Sequence, residues 1–366
     1  MNILIFIIIL LVLVLVHEAG HFFTAKKFGI RVDEFGFGFP PKLFGKKYGE
    51  TEYTFNALPL GGFVKIYGEN PDEENTNGPD ASRSFVNKPK WQQAIVLFAG
   101  IFSNFLLAWV LLSIGFMSGL PTSVGSEPKG FALKDVHLVV VSVSDKSPAQ
   151  LSGLKSGDKI ISIVSGVDSV SNINPDTLKS FIVSHPFEEI DIGYTRGKDV
   201  NIYTAKVSPK IEISDGKPMI GIAMDQIGTA KLPILQSFWE GMKLDWFITK
   251  GTVVGLYTLI SQGVQGKGSL SDVSGPVGMV GIVGDAYKFG FIYLLSFAAL
   301  ISVNLAIINL IPFPALDGGR LLFLLIEKIK GSRMNPKFVN TANMIGFGIL
   351  ILLMIFVTYH DITKLF

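Results

Sequence analysis

The motif His17-Glu18-Ala19-Gly20-His21 has the residue types and the spacing of a metal-dependent hydrolytic site. Side chains four residues apart lie on one face of a helix, so the two imidazoles can bind one ion from adjacent turns. The carboxylate of Glu18 lies beside them, where it can act as a general base toward water. Two histidines and a glutamate in this order are typical of zinc hydrolases, although so short a motif also arises by chance.

The setting of the motif favours a metal site over a chance match. It follows an apolar run, residues 3–16, that contains no charged residue. Continued to Ala25, this segment would form a helix of roughly 35 Å, which is long enough to cross a bilayer. Ionisable groups in such a helix are costly and usually functional. The run lacks a basic start and a convincing cleavage site, which favours a retained transmembrane helix over a signal peptide.

A second candidate for the same site is Asp317, in the segment 312–320 (PFPALDGGR). Two prolines and two glycines break a helix here, directly after an apolar run over residues 292–311. A carboxylate at membrane depth needs a partner, and a divalent metal ion is a natural one. Together with the two histidines of the motif, Asp317 would leave a fourth position open for water, as in catalytic zinc sites. The alternative is that Asp317 lies at the cytoplasmic end of the membrane-spanning region and pairs with Arg320 or a lysine.

The composition is that of a membrane protein. Of the 366 residues, 48% are hydrophobic and 17% are charged, whereas about a quarter are charged in soluble domains. The net charge of +2 and the lack of a basic run argue against nucleic acid as a partner. Because the chain has no cysteine, a metal ion would have to be held by histidine, aspartate or glutamate.

The apolar segments predict a polytopic α-helical membrane protein with about four transmembrane helices. The predicted spans run from the start of the chain to about residue 25, over 91–120, over 292–311, and over 347–358 with an extension back to 342. Ten lysines and arginines lie between residues 26 and 90, which places that segment in the cytoplasm by the positive-inside rule. Both termini would then lie outside, with the histidine motif toward the cytoplasmic side.

The second predicted span contains the sequence AGIFSN, in which Gly100 and Asn104 share one helix face. Glycine permits close approach of a neighbouring helix, and an intramembrane asparagine seeks a hydrogen-bond partner. Helix packing alone explains these residues, and a position of Asn104 at the active site explains them equally well.

The segments between the spans have different characters. Residues 32–40, 51–55 and 61–68 alternate with the strand period, which predicts either a hairpin dipping into the membrane interface or a small cytoplasmic sheet. Residues 122–210 are polar, with strand, helix-cap and turn signals, and predict a compact domain outside the cytoplasm. Residues 235–260 predict amphipathic helices on the membrane surface, with a short span from 247 to 260 as the alternative. A glycine-rich loop is expected over 271–284.

The predicted domain organisation follows from these segments. Residues 1–121 form the first half of a transmembrane core with its β-region, and residues 122–210 form the inserted domain. Residues 211–289 contain surface helices and a linker, and residues 290–366 complete the transmembrane core.

The motifs, in this order and spacing, resemble the site-2 protease family of intramembrane zinc metalloproteases, and in particular its bacterial RseP-type members. The matching stretches are HEAGH at 17–21, AGIFSN at 99–104, NLIPFPALDGG at 309–319 and EKIKG at 327–331. The resemblance implies Zn²⁺ as cofactor, with His17, His21 and Asp317 as ligands and Glu18 as the catalytic residue.

The resemblance also assigns roles to other segments. Asn309, and less directly Asn304, match positions that hold the substrate backbone. The β-region matches the membrane-associated sheet that presents the substrate as an extended strand. The inserted domain resembles a PDZ domain, with Gly153-Leu154 in the position of its peptide-binding loop. The space fits one such domain, whereas well-known enterobacterial members have two in tandem.

The implied activity is hydrolysis of peptide bonds within or near the transmembrane segment of single-span membrane proteins. Anti-sigma factors and remnant signal peptides are the expected substrate types in such regulated intramembrane proteolysis, and the bacterial cytoplasmic membrane is the expected location. One alternative is a membrane metal-ion transporter, which leaves Glu18 without a role. The other is an inactive peptide-binding scaffold, which the intact motif and Asp317 argue against. The sequence does not indicate an oligomeric state.

Overall fold

The computed structural model describes residues 1–70, 72–197, 199, 201–211, 216–266 and 275–363. Its helices are α1 (Asn2–Lys27), α2 (Glu73–Asn77), α3 (Lys90–Ser118), α4 (Pro148–Leu151), α5 (Pro175–Ser184), α6 (Ile234–Val264), α7 (Pro276–Phe289), α8 (Phe291–Leu310), α9 (Asp317–Lys330) and α10 (Pro336–Thr363). Its strands are β1 (Val32–Tyr48), β2 (Thr51–Ile66), β3 (Leu120–Ser123), β4 (Lys134–Val143), β5 (Asp158–Ser165), β6 (Asp168–Ser169), β7 (Ile190–Arg196), β8 (Tyr203–Val207), β9 (Lys210–Ile211), β10 (Pro218–Met219) and β11 (Ile222–Ala230). The chain divides into two compact units. One contains residues 1–112, 241–284 and 295–366, and the other contains 113–240 and 285–294.

Within the described residues, four helices are long and apolar enough to cross a membrane, namely α1, α3, α8 and α10. The four predicted spans are therefore confirmed as helices of that length and composition. Helix α10 begins at Pro336, several residues earlier than the apolar pattern predicts, because proline is well tolerated in a first helical turn. Helix α6 is a single helix of 31 residues rather than several, and it is not among the four.

The predicted glycine-rich loop over 271–284 is wrong for residues 276–284, which form most of α7. Residues 271–274 lie outside the described part of the chain. The carboxylate of Asp361 accepts hydrogen bonds from the backbone N–H groups of Gly275 and Gly278, at 3.0 and 2.8 Å. These bonds satisfy free donors at the start of α7, so a distant residue stabilises a helix that its own glycines disfavour.

Strands β1 and β2 form a bent sheet in the first unit. Residues 32–37 pair on one side with 62–66 and on the other with 52–55, while residues 42–48 pair with 51–56. Residues 62–66 therefore form an outer edge, which lies against α1: a Cβ added at Gly62 would be 3.2 Å from the side chain of Leu15. Several apolar side chains of this sheet are exposed, among them Phe39, Leu43, Phe44 and Leu58. Insertion of the sheet into the membrane interface stays a prediction.

The second unit contains a mixed α and β domain. Its sheet has the strand order β3-β11-β4-β5-β7-β8, with β6 beside β5. Residues 175–184 form α5, whose N-cap Asn174 exchanges hydrogen bonds with Thr177. The predicted domain boundary at residue 210 falls short, since β11 pairs with both β3 and β4. The residues of β11 include glycine, alanine and aspartate, which have low strand propensity, so pairing with neighbours rather than local pattern determines this strand.

The role of Gly153-Leu154 as a peptide-binding loop stays a prediction. Leu154 is buried in the hydrophobic core, and the carbonyl of Gly153 accepts a hydrogen bond from Arg196. A cavity of about 460 Å³ lies between α5 and residues 217–224. The PDZ-like classification itself stays a prediction.

Candidate metal centre

Two turns of α1 and the first residue of α9 bring together three side chains that could bind one metal ion. Nε2 of His17 and Nε2 of His21 lie 3.2 Å apart, and Oδ2 of Asp317 lies 3.0 Å from the first and 3.2 Å from the second. Three ligand atoms about 2.0–2.1 Å from a tetrahedral zinc ion would be separated by about 3.3–3.4 Å. The two histidines are buried and Asp317 is nearly so. The arrangement therefore has nearly the dimensions of a three-ligand zinc site.

The hydrogen bond that His21 makes through Nδ1 directs its other ring nitrogen toward Asp317. Its Nδ1–H donates to the carbonyl oxygen of Val96 at 2.8 Å, which leaves Nε2 of the neutral imidazole as a bare acceptor. That nitrogen faces Oδ2 of Asp317, which has no hydrogen-bond partner among the described residues. Two lone pairs at this distance repel each other unless a cation lies between them, so the donor set fits a divalent metal ion.

Asn104 contacts Nδ1 of His17, as the carbonyl of Val96 contacts Nδ1 of His21. The Nδ2 of Asn104 lies 3.3 Å from Nδ1 of His17, and its buried Oδ1 has no hydrogen-bond partner in the described part of the chain. Exchange of the amide oxygen and nitrogen, which differ little in shape, turns Oδ1 toward His17; Nδ1–H then donates to Oδ1, and Nε2 is free to bind metal. The structure thus brings Asn104 to the site. Asn104 contacts His17. The sequence alone did not decide between this position at the site and a role in helix packing.

Two glycines allow α1 and α3 to approach closely enough for these contacts. A Cβ at Gly100 would lie 2.2 Å from Nε2 of His21, and a Cβ at Gly20 would lie 2.4 Å from the carbonyl oxygen of Ala99. Ser103 donates its hydroxyl to the same carbonyl at 2.8 Å. The small residues in the two motifs are therefore required by the position of the imidazole as well as by helix packing.

Glu18 is oriented by the sheet rather than by a helix. The backbone N–H of Val64, on the outer edge of β2, donates to Oε2 of Glu18 at 3.0 Å. Val64 lies opposite Phe35 in the sheet, and the bond to Glu18 shows that its N–H faces away from β1. No sequence signal indicates this contact, since it depends on a backbone group 46 residues away.

Asp317 is presented at the first turn of α9 by a tightly folded turn. A Cβ at Gly318 would lie 2.3 Å from the carbonyl oxygens of Leu310 and Ile311, and one at Gly319 would lie 2.1 Å from that of Phe313. The turn thereby places Oδ2 of Asp317 beside Nε2 of both imidazoles.

Arg320 is not the partner of this carboxylate in the described structure. Arg320 instead forms an ion pair with Glu69, which follows the end of β2. The alternative interpretation of Asp317, as the partner of Arg320, is thus not supported.

The two asparagines of α8 have different surroundings. The Oδ1 of Asn304 accepts a hydrogen bond from the hydroxyl of Thr252 in α6 at 3.0 Å. Asn309 is half-buried, close to the end of α8. Their assignment to substrate binding stays a prediction, and for Asn304 the bond to Thr252 competes with it.

Comparison with known proteins assigns the chain to a protein family. The sequence profile of peptidase family M50 matches residues 5–353. The chain belongs to peptidase family M50. This is the site-2 protease family, so the resemblance inferred from the motifs is confirmed. The protein is accordingly a zinc metalloprotease and an integral membrane protein.

Relatives from several bacteria extend over nearly the whole M50 chain. A predicted zinc metalloprotease of Clostridium perfringens is 37% identical, over 96% of this chain and 95% of the relative. The zinc metalloprotease RasP of Shouchella clausii is 31% identical, over 99% of this chain and 98% of the relative. The regulator of sigma-W protease RasP of Bacillus subtilis is also 31% identical, over 99% of this chain and 98% of the relative. Membership in a peptidase family favours hydrolysis over the metal-ion transporter and the inactive scaffold.

Proposed function

We propose that this M50 protease hydrolyses peptide bonds within or near the transmembrane segment of single-span membrane proteins. The observation that carries the proposal is the convergence of His17, His21 and Asp317 beside a helix that is itself long and apolar enough to span a bilayer. A hydrolytic centre on such a helix is accessible to substrates that are themselves embedded in the membrane.

The residues of the site have distinct roles in the proposed reaction. His17, His21 and Asp317 would hold zinc, which when bound polarises water and the scissile carbonyl. Glu18 takes the proton of the attacking water and returns it to the leaving amine. The N–H of Val64 holds the Glu18 carboxylate in place, and Asn104 and the Val96 carbonyl hold the two imidazoles.

The proposal includes a position for the substrate. A transmembrane helix hides its carbonyl groups in its own hydrogen bonds, so it must be extended locally before it can be cleaved. The outer edge of β2, over residues 62–66, lies next to Glu18, and its backbone groups other than the N–H of Val64 can pair with an extended chain. Asn309 is the candidate for a side-chain contact to the same backbone, with Asn304 and Asn104 as weaker candidates.

The proposal also covers the type of substrate and the cellular location of the protein. The Bacillus subtilis relative is named as a regulator of sigma-W, which supports an anti-sigma factor as the substrate type, with a remnant signal peptide as the other type. We place the protein in the bacterial cytoplasmic membrane, with the PDZ-like domain outside as a filter for substrate size.

Single cysteines can test this orientation because the chain has none of its own. Cysteine at exposed Glu73 should react with an impermeant thiol reagent only from the cytoplasmic side, and cysteine at exposed Val167 only from outside. The opposite pattern would invert the proposed topology.

The function is tested by Glu18→Gln in the full-length protein, co-expressed with a single-span substrate. We expect the variant to lose cleavage while its zinc content stays near one per chain, because Glu18 acts on the proton and does not bind the metal. Glu73→Gln, the same change at an exposed position of α2, is the matched control and should cleave normally. Undiminished cleavage by Glu18→Gln would refute the proposal.

A further inference from the structure

The turn that connects α8 to Asp317 contains a strained residue. Ala315 has a φ of +78°, a left-handed conformation that L-residues other than glycine adopt only at a cost. It lies two residues before Asp317, so its conformation sets the direction in which the chain enters α9. A strained backbone persists only where surrounding contacts hold it in place.

Helix α10 supplies one such contact. The backbone N–H of Ala315 donates to Oδ1 of Asn343 at 3.1 Å. This bond comes from the last predicted span, whereas the ligands of the candidate site are on α1 and α9. Asn343 is half-buried, at a point where most of the helix is exposed.

A second contact fixes the same turn one helical turn further along α10. A Cβ at Gly346 would lie 2.4 Å from the carbonyl oxygen of Pro314, so the two backbones touch. Within Pro336–Thr363, only Gly346 and Asp361 are buried. Helix α10 is thus exposed along most of its length but makes two close contacts with adjacent residues of the turn.

We propose that Asn343 is a positioning residue for Asp317. Its side-chain oxygen stabilises the left-handed conformation of Ala315, and this conformation directs the Asp317 carboxylate toward His17 and His21. When the bond is lost, Ala315 relaxes to a negative φ and the carboxylate moves away from the imidazoles. The inference rests on the proposed function of Asp317 as a metal ligand.

The first experiment measures zinc affinity of the full-length protein in detergent by competition with a chelator. Asn343→Leu keeps the size of the side chain but removes the acceptor, and we expect zinc to bind about tenfold more weakly, as when other groups that orient a ligand are lost. Asn343→Asp keeps the acceptor oxygen and should stay within about twofold of the unmodified protein. Asn340→Leu, the same change at an exposed position one turn earlier, is the matched control and should be neutral.

A second substitution separates positioning from general packing. Glycine adopts the left-handed conformation without strain, so Ala315→Gly removes the need for the bond from Asn343. The double variant Ala315→Gly with Asn343→Leu should therefore recover most of the lost zinc affinity. A packing defect in α10 would not be repaired by this change. Ala315→Val, which opposes the left-handed conformation without altering α10, should weaken zinc binding by itself.

The outcomes distinguish this inference from the function on which it rests. If Asp317→Ala lowers zinc affinity but Asn343→Leu behaves like Asn340→Leu, the positioning role is wrong and the metal site stands. Failure of Ala315→Gly to restore affinity would also overturn the inference. If Asp317→Ala binds zinc as tightly as the unmodified protein, the proposed ligand set itself is wrong. Should Asn343→Leu not accumulate, the effect of Ala315→Val on zinc affinity decides the question.

Discussion

At the scale of single residues, the candidate site depends as much on backbone groups as on side chains. The carbonyl of Val96 fixes the tautomer of His21, and the N–H of Val64 orients Glu18. The side chains of the candidate site could be predicted from sequence, because two histidines, a glutamate and an isolated aspartate have few other uses in apolar surroundings. The backbone partners could not be predicted, since every residue except proline has the same N–H and C=O groups.

Gly100 gives a prediction at this scale. Gly100→Ala would place a Cβ 2.2 Å from Nε2 of His21, so either the imidazole or α3 must move. We expect at least a tenfold loss of zinc affinity, comparable with the loss of a group that orients a metal ligand. Gly348→Ala in α10, whose Cβ would meet nothing within 4 Å, is the control in a competition titration. Equal zinc affinity of the two variants would show that the imidazole does not occupy this position.

At the scale of elements, the outer edge of β2 connects the sheet to the chemistry on α1. The strand-period pattern predicted strands in this region, but it did not indicate which edge would face the motif. The same limit applies elsewhere: four spans were predicted from long apolar runs, whereas β11 and α7 were missed because distant partners stabilise them. Elements that are stable through their own pattern can be predicted from sequence, and elements that depend on pairing cannot.

Val64 tests the role of this edge. Val64→Pro removes the N–H that donates a hydrogen bond to Glu18. Proline is tolerated on an edge strand where the backbone N–H faces away from the sheet. Loss of a hydrogen bond to a charged group should lower kcat about tenfold or more, with zinc content unchanged. Val64→Ala keeps the N–H and should retain activity. If both variants cleave a single-span substrate at the same rate, the bond to Glu18 has no part in catalysis.

At the scale of the whole molecule, the site is assembled from the two ends of the chain. Residues 17–21 and Asp317 are separated by some three hundred residues, yet both belong to the first compact unit. The second unit, over residues 113–240 and 285–294, is inserted between them in sequence. The association of Asp317 with the two histidines could be inferred from chemistry alone, because one metal ion can bind a carboxylate and two imidazoles. The role of the inserted unit could not be derived in the same way from its residues.

The position of the cleaved bond shows directly whether this protease acts within the membrane. The zinc-loaded protein in lipid vesicles is incubated with a single-span substrate, and the products are identified by mass spectrometry beside those of Glu18→Gln. We predict that the unmodified protein cuts within or at the edge of the apolar segment of the substrate, and that the variant yields no such product. Cleavage confined to the soluble part of the substrate would contradict the account, as would the same intramembrane products from the variant.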